Sequence, residues 1–399
     1  MKTYLSLLFL AVSFGLFSQW EQKTNLPAAG RNHPVTFSIN GIGYVTTGGN
    51  DGPPFYFDDM WKYNPATDSW SPLGDFPGGD RSFAYGVEHG GYGYAGFGAW
   101  DDGFNVTYFD DWYRFDPVSE TWTAMASFPG TDRTHPAMVA TTNKIYVGCG
   151  GSSNGDLKDW WEYDVATDSW TQKTDFPGTR RHHPFYFSIG DDVFVGMGHH
   201  QSSIFDDLYH YDIENDTWTQ VASIPGEGRV AGTQFTYNGK GYVLSGQGED
   251  HLNFDTGEFW EYDPVNDSWT QLPPHPGSGR WAPGSFVIGD SIYMVGGQNN
   301  DIQPDQRDLW LLNFQDIVGM DEFTQQVAVD IYPNPVINLL QIESSLMSDT
   351  VEIKNLLGEV VFESDEFTSE IPVSDLPSGV YLLTIYEESR AVTKRFVKE

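Results

Sequence analysis

The stretch TDSWTQKTDFPGTRRHHP, from Thr167 to Pro184, has five relatives elsewhere in the 399-residue chain. In each, a Trp is followed seven residues later by Pro and eleven residues later by Arg. The Trp/Arg pairs are Trp20/Arg31, Trp70/Arg81, Trp122/Arg133, Trp170/Arg181, Trp218/Arg229 and Trp269/Arg280. A period of 48 to 52 residues kept over six copies means a repeat architecture, and that decides the fold before any single motif does.

Within each unit an alternating run follows the Arg, as in HPFYFSIG. A turn comes nine residues after it, near Asn40, Gly90, Thr142, Gly190, Asn238 and Gly289, so the first two strands form a hairpin of fixed length. The second strand ends in small residues (GYVTTGG, IYVGCGG, IYMVGG). An acidic residue then stands two positions before an aromatic: Asp59, Asp111, Asp159, Asp207, Glu258 and Asp308. In five units the next Trp comes nine residues after that aromatic, across turns such as YDVATDSW, which makes a second rigid hairpin.

Composition agrees with an all-β chain: 43 Gly and 16% aromatic residues favour many short strands and tight turns. The net charge of −35, with no basic run to collect phosphates, argues against nucleic acid as a partner. MKTYLSLLFLAVSFGLFSQW carries one Lys and then an apolar run too short to span a bilayer, so residues 1–18 are expected to be a signal peptide. No later segment is long and apolar enough for a transmembrane anchor. Cys149 is the only cysteine, so no intramolecular disulfide is possible.

Four short strands per repeat, the diglycine and the paired aromatics resemble kelch repeats over residues 19–314. The resemblance implies a β-propeller of four-stranded blades. The last unit lacks its fourth-strand Trp, while Trp20 has no blade before it. QWEQKT is therefore expected to supply the fourth strand of blade six, so that the N-terminal strand closes a six-bladed ring. After a linker at 315–327, residues 328–399 resemble the C-terminal sorting domain of the type IX secretion system of Bacteroidota. They share its opening Tyr332-Pro333-Asn334-Pro335, the NLLGE turn at Gly358, and LPSGVY with Gly379 and Tyr381. Read alone, this segment is a small immunoglobulin-like β-sandwich. The resemblance implies export to the cell surface or the extracellular space through the outer-membrane secretion machinery, with later removal of the segment.

In such meanders the Arg positions and all the length variation fall on one face, where binding is expected. Each Arg has two readings. It either clasps the strand-three carboxylate of its own blade, or it crowns the channel mouth and binds an anion. Arg31, Arg81, Arg133, Arg181, Arg229 and Arg280 are thus candidate ligand-binding residues together with His183, His199 and Trp100. Trp100, Phe104 and Tyr108 beside carboxylates suit a sugar surface. Blade four alone gathers His182, His183, His199 and His200 near Asp206 and Asp207. Adjacent strand residues point to opposite sides, and His33 and His135 repeat the His183 position without the GHH motif, so a packed or solvent-facing role is expected for these histidines, with no metal and no cofactor. No catalytic constellation stands out. The expected function is a secreted module that binds an extracellular protein or glycan. The alternative implied by the resemblance is a carbohydrate-active enzyme, of the sugar-isomerising, mutarotase-like kind or, less readily, like the copper oxidase of galactose.

Overall fold

A computed structural model describes residues 20–299, 305–316, 329–344, 350–355, 360–364, 368–387 and 390–399. Residues 1–18, expected as a signal peptide, most of residues 315–327, expected as a linker, and Gly358 lie outside the described residues. The described chain is built almost wholly of strands and divides into two units, 1–316 and 317–399.

In the first unit each of the first five repeats forms one four-stranded antiparallel blade. Blade three, for example, orders Ala137–Ala140, Lys144–Gly148, Trp160–Asp164 and Ser169–Lys173 side by side. The first strands of neighbouring blades touch one another all the way round, from blade one through blade six and back to blade one, so they form the inner wall of a ring. In blade six, Gly284–Ile288, Ser291–Val295 and Leu309–Asn313 are joined by Glu21–Lys23 from the start of the chain. The register is Glu21 opposite Leu311, Gln22 opposite Trp310 and Lys23 opposite Leu309. The ring is therefore six-bladed and closed by the N-terminal strand, as the missing Trp predicts.

The TDSW signature is a staple between blades. Asp168 turns the strand-three to strand-four hairpin in the left-handed region (φ 49°). Its Oδ1 accepts the Tyr163 hydroxyl at 2.7 Å and the Ala126 backbone N–H of the preceding blade at 2.8 Å. Trp170 Nε1 donates to the Ala126 carbonyl at 2.9 Å, so side chains of one blade satisfy both backbone groups of a residue in the blade before it. Asp216 and Trp218 hold Thr174 in the same way, Asp267 and Trp269 hold Ala222, and Asp68 and Trp70 hold Thr24 beside the closing strand. Blade two departs, with Phe115 and Glu120 in place of Tyr and Asp, and Trp122 Nε1 has no partner among the described residues.

The second unit is a two-sheet sandwich. Three strands (Val329–Tyr332, Leu339–Ser344, Glu370–Pro372) face four (Val360–Ser364, Thr350–Asn355, Gly379–Glu387, Arg390–Lys398) across a core that includes Leu340, Ile353, Leu383 and Phe396. Asn334 of YPNP accepts the Val397 N–H at 2.9 Å and donates to the Arg395 carbonyl, which docks the opening turn on the last strand. Tyr381 is buried and donates its hydroxyl to the Pro377 carbonyl at 2.8 Å.

Candidate functional site

All six repeat arginines are buried, and each meets the acidic residue of its own third strand. Arg133 shows the full arrangement. Nη1 and Nη2 donate to the two carboxylate oxygens of Asp159 at 2.8 and 2.7 Å, Nη1 also reaches the Cys149 carbonyl at 2.9 Å, and Nε reaches Thr131 O at 3.0 Å. The carbonyl is turned inward because Cys149 and Gly150 are both left-handed (φ 55° and 95°), and a Cβ on Gly150 would stand 2.6 Å from Thr134 O. Burial works against the Asp59 and Asp308 carboxyls, yet the hydrogen bonds and charges of Arg31 and Arg280 outweigh it and hold both below the usual carboxylate range. Arg229 is the exception. It makes one contact of 3.1 Å with Glu258, and its Nε and Nη1 find no partner among the described residues.

Two residues after each Arg comes a ring position: His33, Phe83, His135, His183, Ala231 and Ala282, all left-handed with φ between 48° and 63°. Backbone bonds pass between blades here, from His33 N–H to Ala282 O (2.9 Å), His135 to Phe83 (3.1 Å), His183 to His135 (3.3 Å) and Ala282 to Ala231 (2.6 Å). The side chains converge on the axis. Blades one and four stand opposite each other in a six-membered ring, yet His33 Nε2 and His183 Nε2 are 2.8 Å apart. His135 packs on His183 with ring centroids 3.6 Å apart, and Phe83 and Trp281 flank His33 at 4.8 and 4.4 Å. Burial, followed by the neighbouring His182, lowers His33 to about 3; burial and the surrounding imidazoles push His135 and His183 well below the ordinary value. Neither ring nitrogen of His135 meets a partner among the described residues, an arrangement that costs about 1–3 kcal/mol for a buried donor.

This plug separates two surroundings. On one side lies a cavity of about 480 Å3 walled by the first strands of all six blades, with His33, Tyr85, Tyr186, Gln234 and Ser285 among its lining. On the other, the loops between strands two and three rise as small ribbons: Ala99–Asp101 with Val106–Tyr108, Gly151–Ser152 with Gly155–Asp156, and His199–His200 with Ser203–Ile204. Asp156 accepts from His182 Nδ1 at 2.8 Å and His200 Nδ1 at 2.7 Å. Burial alone would raise that carboxyl, but these two hydrogen bonds lower it. The blade-two ribbon lifts Phe104 to 93% exposure and Trp100 to 38%. Its tip is fixed, because Asp102 Oδ1 accepts the N–H groups of Phe104 and Asn105 at 2.8 and 2.7 Å. Phe55 of the blade-one loop, 53% exposed, neighbours it: Phe57 bridges to Arg81, and Ser82 to Ala99 at the foot of the ribbon.

Comparison with known proteins agrees with the geometry. Residues 98–230 and 129–297, together just over half of the chain, match the KLHDC2/KLHL20/DRC7 kelch-repeats domain. The chain belongs to the kelch-repeat family. Its kelch propeller also resembles the solved structure of YjhT at 16% identity with a TM-score of 0.61, over 73% of this chain and 99% of that one, a likeness of fold alone. Residues 330–399 match the secretion system C-terminal sorting domain, so this kelch protein is exported by type IX secretion to the cell surface or the extracellular space. No curated protein matches the chain. No helix among the described residues is long and apolar enough to cross a membrane.

The kelch scaffold distributes the residues singled out in the sequence unevenly. The six Arg are spent inside the blades. Trp100 stands on the exposed ribbon. His183 lies in the plug, while His199, lowered to about 4 by burial and then by the charges of His182 and His251, sits above it against His182 at 3.9 Å between ring centroids. Asp206 caps the loop after strand four through its carbonyl rather than joining the histidines. Sequence reasoning missed the meeting of His33 and His135 with His183. The signal was present, since all three stand two residues after a repeat Arg and equal positions in different blades face the same axis. Cys149 is fully buried, and burial pushes its thiol up to about 12, so it is a packing residue.

Proposed function

We propose that the propeller acts outside the cell as a binding module that takes a glycan on the loop face of blades one and two. The carrying observation is the pair Trp100 and Phe104, held out on a ribbon whose tip is locked by Asp102. Exposed rings on a rigid support stack on sugar faces at little cost in conformational entropy, and Asp101 and Asp102 offer acceptors to hydroxyl groups. Asp101 lies close enough to Tyr56 of blade one to raise its pKa, second to burial, so the two loops form one surface. On this reading residues 1–18 and the sorting domain address the protein and are removed.

The test is a glycan array probed with the full chain, followed by titration of the best hit. Trp100→Ala and Phe104→Ala should each weaken binding about tenfold or more with the melting temperature unchanged. Absence of glycan binding, or binding indifferent to both substitutions, overturns the proposal, and capture of a protein in its place would move the reading to a protein partner. A second reading, a carbohydrate-active enzyme, is favoured by one observation: the 480 Å3 cavity, lined by Tyr85, Tyr186 and Gln234 among others, falls in the size range of small-molecule pockets. Turnover of a monosaccharide lost in Gln234→Ala, with array binding retained, would support it.

A further inference from the structure

We propose that His33, His135 and His183 form a three-imidazole centre for a divalent transition-metal ion on the propeller axis. The three come from three different blades, all are buried, and one ligand nitrogen of each lies within 4.8 Å of the others. Three neutral nitrogens converging on one point suit zinc or copper and leave a position for water or an anion.

The hydrogen bonding points the same way. His33 Nδ1–H donates to Asn32 Oδ1 at 2.9 Å, and Asn32 is itself held by Asp305 Oδ1 at 2.7 Å. That outer partner fixes the tautomer and turns the Nε2 lone pair of His33 inward, the arrangement that orients a metal-binding imidazole. His135 is buried, with 8% exposure, and both its nitrogens lack protein partners among the described residues. His183 Nδ1 is likewise unpartnered. The 2.8 Å gap between His33 and His183 is shorter than the roughly 3.3 Å between two nitrogens on one tetrahedral zinc, so the ion would spread this pair by about half an ångström. A second trio, His182, His183 and His199, shares His183 but is partly exposed, and His182 is tied through Nδ1 to Asp156. The axial trio is the better-shielded of the two and has no competing carboxylate hydrogen bond. The six-bladed ring supplies what the sequence alone conceals, because equivalent residues of separate repeats become neighbours.

Titration of the metal-free full chain with Co2+ tests this, with absorbance reporting the ligand field and competition by Zn2+ giving affinity. One equivalent should bind. His135→Phe, which installs the residue blade two carries as Phe83, and His33→Ala, which copies Ala231 and Ala282, should each weaken binding about 100-fold or more. Asn32→Ala should weaken it about 10–100-fold. His199→Ala should bind like the parent. Failure of the parent to bind one equivalent of Co2+ or Zn2+ overturns the proposal. So does loss of binding in His199→Ala with retention in His135→Phe, which would place the ion in the outer trio. Should the ring variants fail to fold, the parent stoichiometry and Asn32→Ala decide: one equivalent with a weakened Asn32→Ala supports the axial site, and an unweakened Asn32→Ala overturns it.

Discussion

Arg133 and Arg229 occupy equivalent places and do different amounts of work. Arg133 satisfies both oxygens of Asp159 and an inward carbonyl, so Arg133→Ala leaves a partly buried carboxylate and a carbonyl unpaired and should cost about 3–5 kcal/mol. Arg229→Ala removes one hydrogen bond, the packing of the guanidinium on Phe254 and two unsatisfied donors, and should cost clearly less. Urea unfolding of the two variants beside the parent checks the order, and equal losses would show that the extra bonds of Arg133 contribute nothing. His275 in blade five gives a pH dependence. It is buried against Trp20, donates Nδ1–H to the Pro276 carbonyl and meets Ser245 Oγ through Nε2; burial and then the Arg280 charge lower it to about 4. An unfolded His takes up its proton near pH 6.5, so between about 6.5 and 4 the unfolded chain binds more protons and stability falls as pH falls. His275→Gln should remove up to about 3 kcal/mol of that acid sensitivity, read as a flatter stability profile between pH 7 and 4 than the parent's. Arg–carboxylate partners were legible because each Arg stands eleven residues after a Trp and each acid two residues before an aromatic, although the distance between the two varies. The axial histidines share an offset as well, two residues after a repeat Arg, but that offset becomes a contact only once the blades are seen to face one axis.

The closing strand Glu21–Lys23 is short, yet it completes blade six, and Trp20 beside it packs edge-on to Phe259 at 6.4 Å. Thr24 then receives the staple from Asp68 and Trp70 of blade one. Deleting residues 19–24 should therefore expose the edge of Leu309–Asn313, strip Trp20 from its contacts and lower stability by several kcal/mol, comparable to loss of a large core aromatic. An unchanged melting temperature after the deletion would contradict this. That strand was legible from counting, because one Trp was missing at one end and surplus at the other. The ribbons Ala99–Asp101 and Val106–Tyr108 were not. They are too short to show alternation, and the residues between them, Asp102 to Asn105, read only as a turn. In the second unit the alternation in VEIK and VYLLTIY was enough to predict strands, while the division into sheets of three and four depends on pairings far apart in sequence, such as Leu340 with Ile371.

Seen as one exported protein, the chain has an address and a cargo. Removal of residues 330–399 should leave the propeller folded but retained within the cell envelope, as judged by immunoblotting of supernatant and surface fractions; export at the parent level without them would sink the assignment of the address. Intact-mass measurement of the exported protein should find it starting near Gln19 and ending before Tyr332. Full-length protein at the surface would show that the ends are not trimmed.

The pairing of Glu21 with Leu311 also sets an order in time. Blades one to five can each complete their four strands from contiguous chain, whereas blade six needs a strand made nearly three hundred residues earlier. Until Leu309–Asn313 emerges, that first strand has nowhere to go, and the unfinished ring presents open sides at both ends. Pairing across such a span is slow, so closure of the ring is expected to be the last event of folding. A chain ending before Leu309 should therefore be cut by proteases faster than the closed ring, which limited proteolysis of the truncated chain checks.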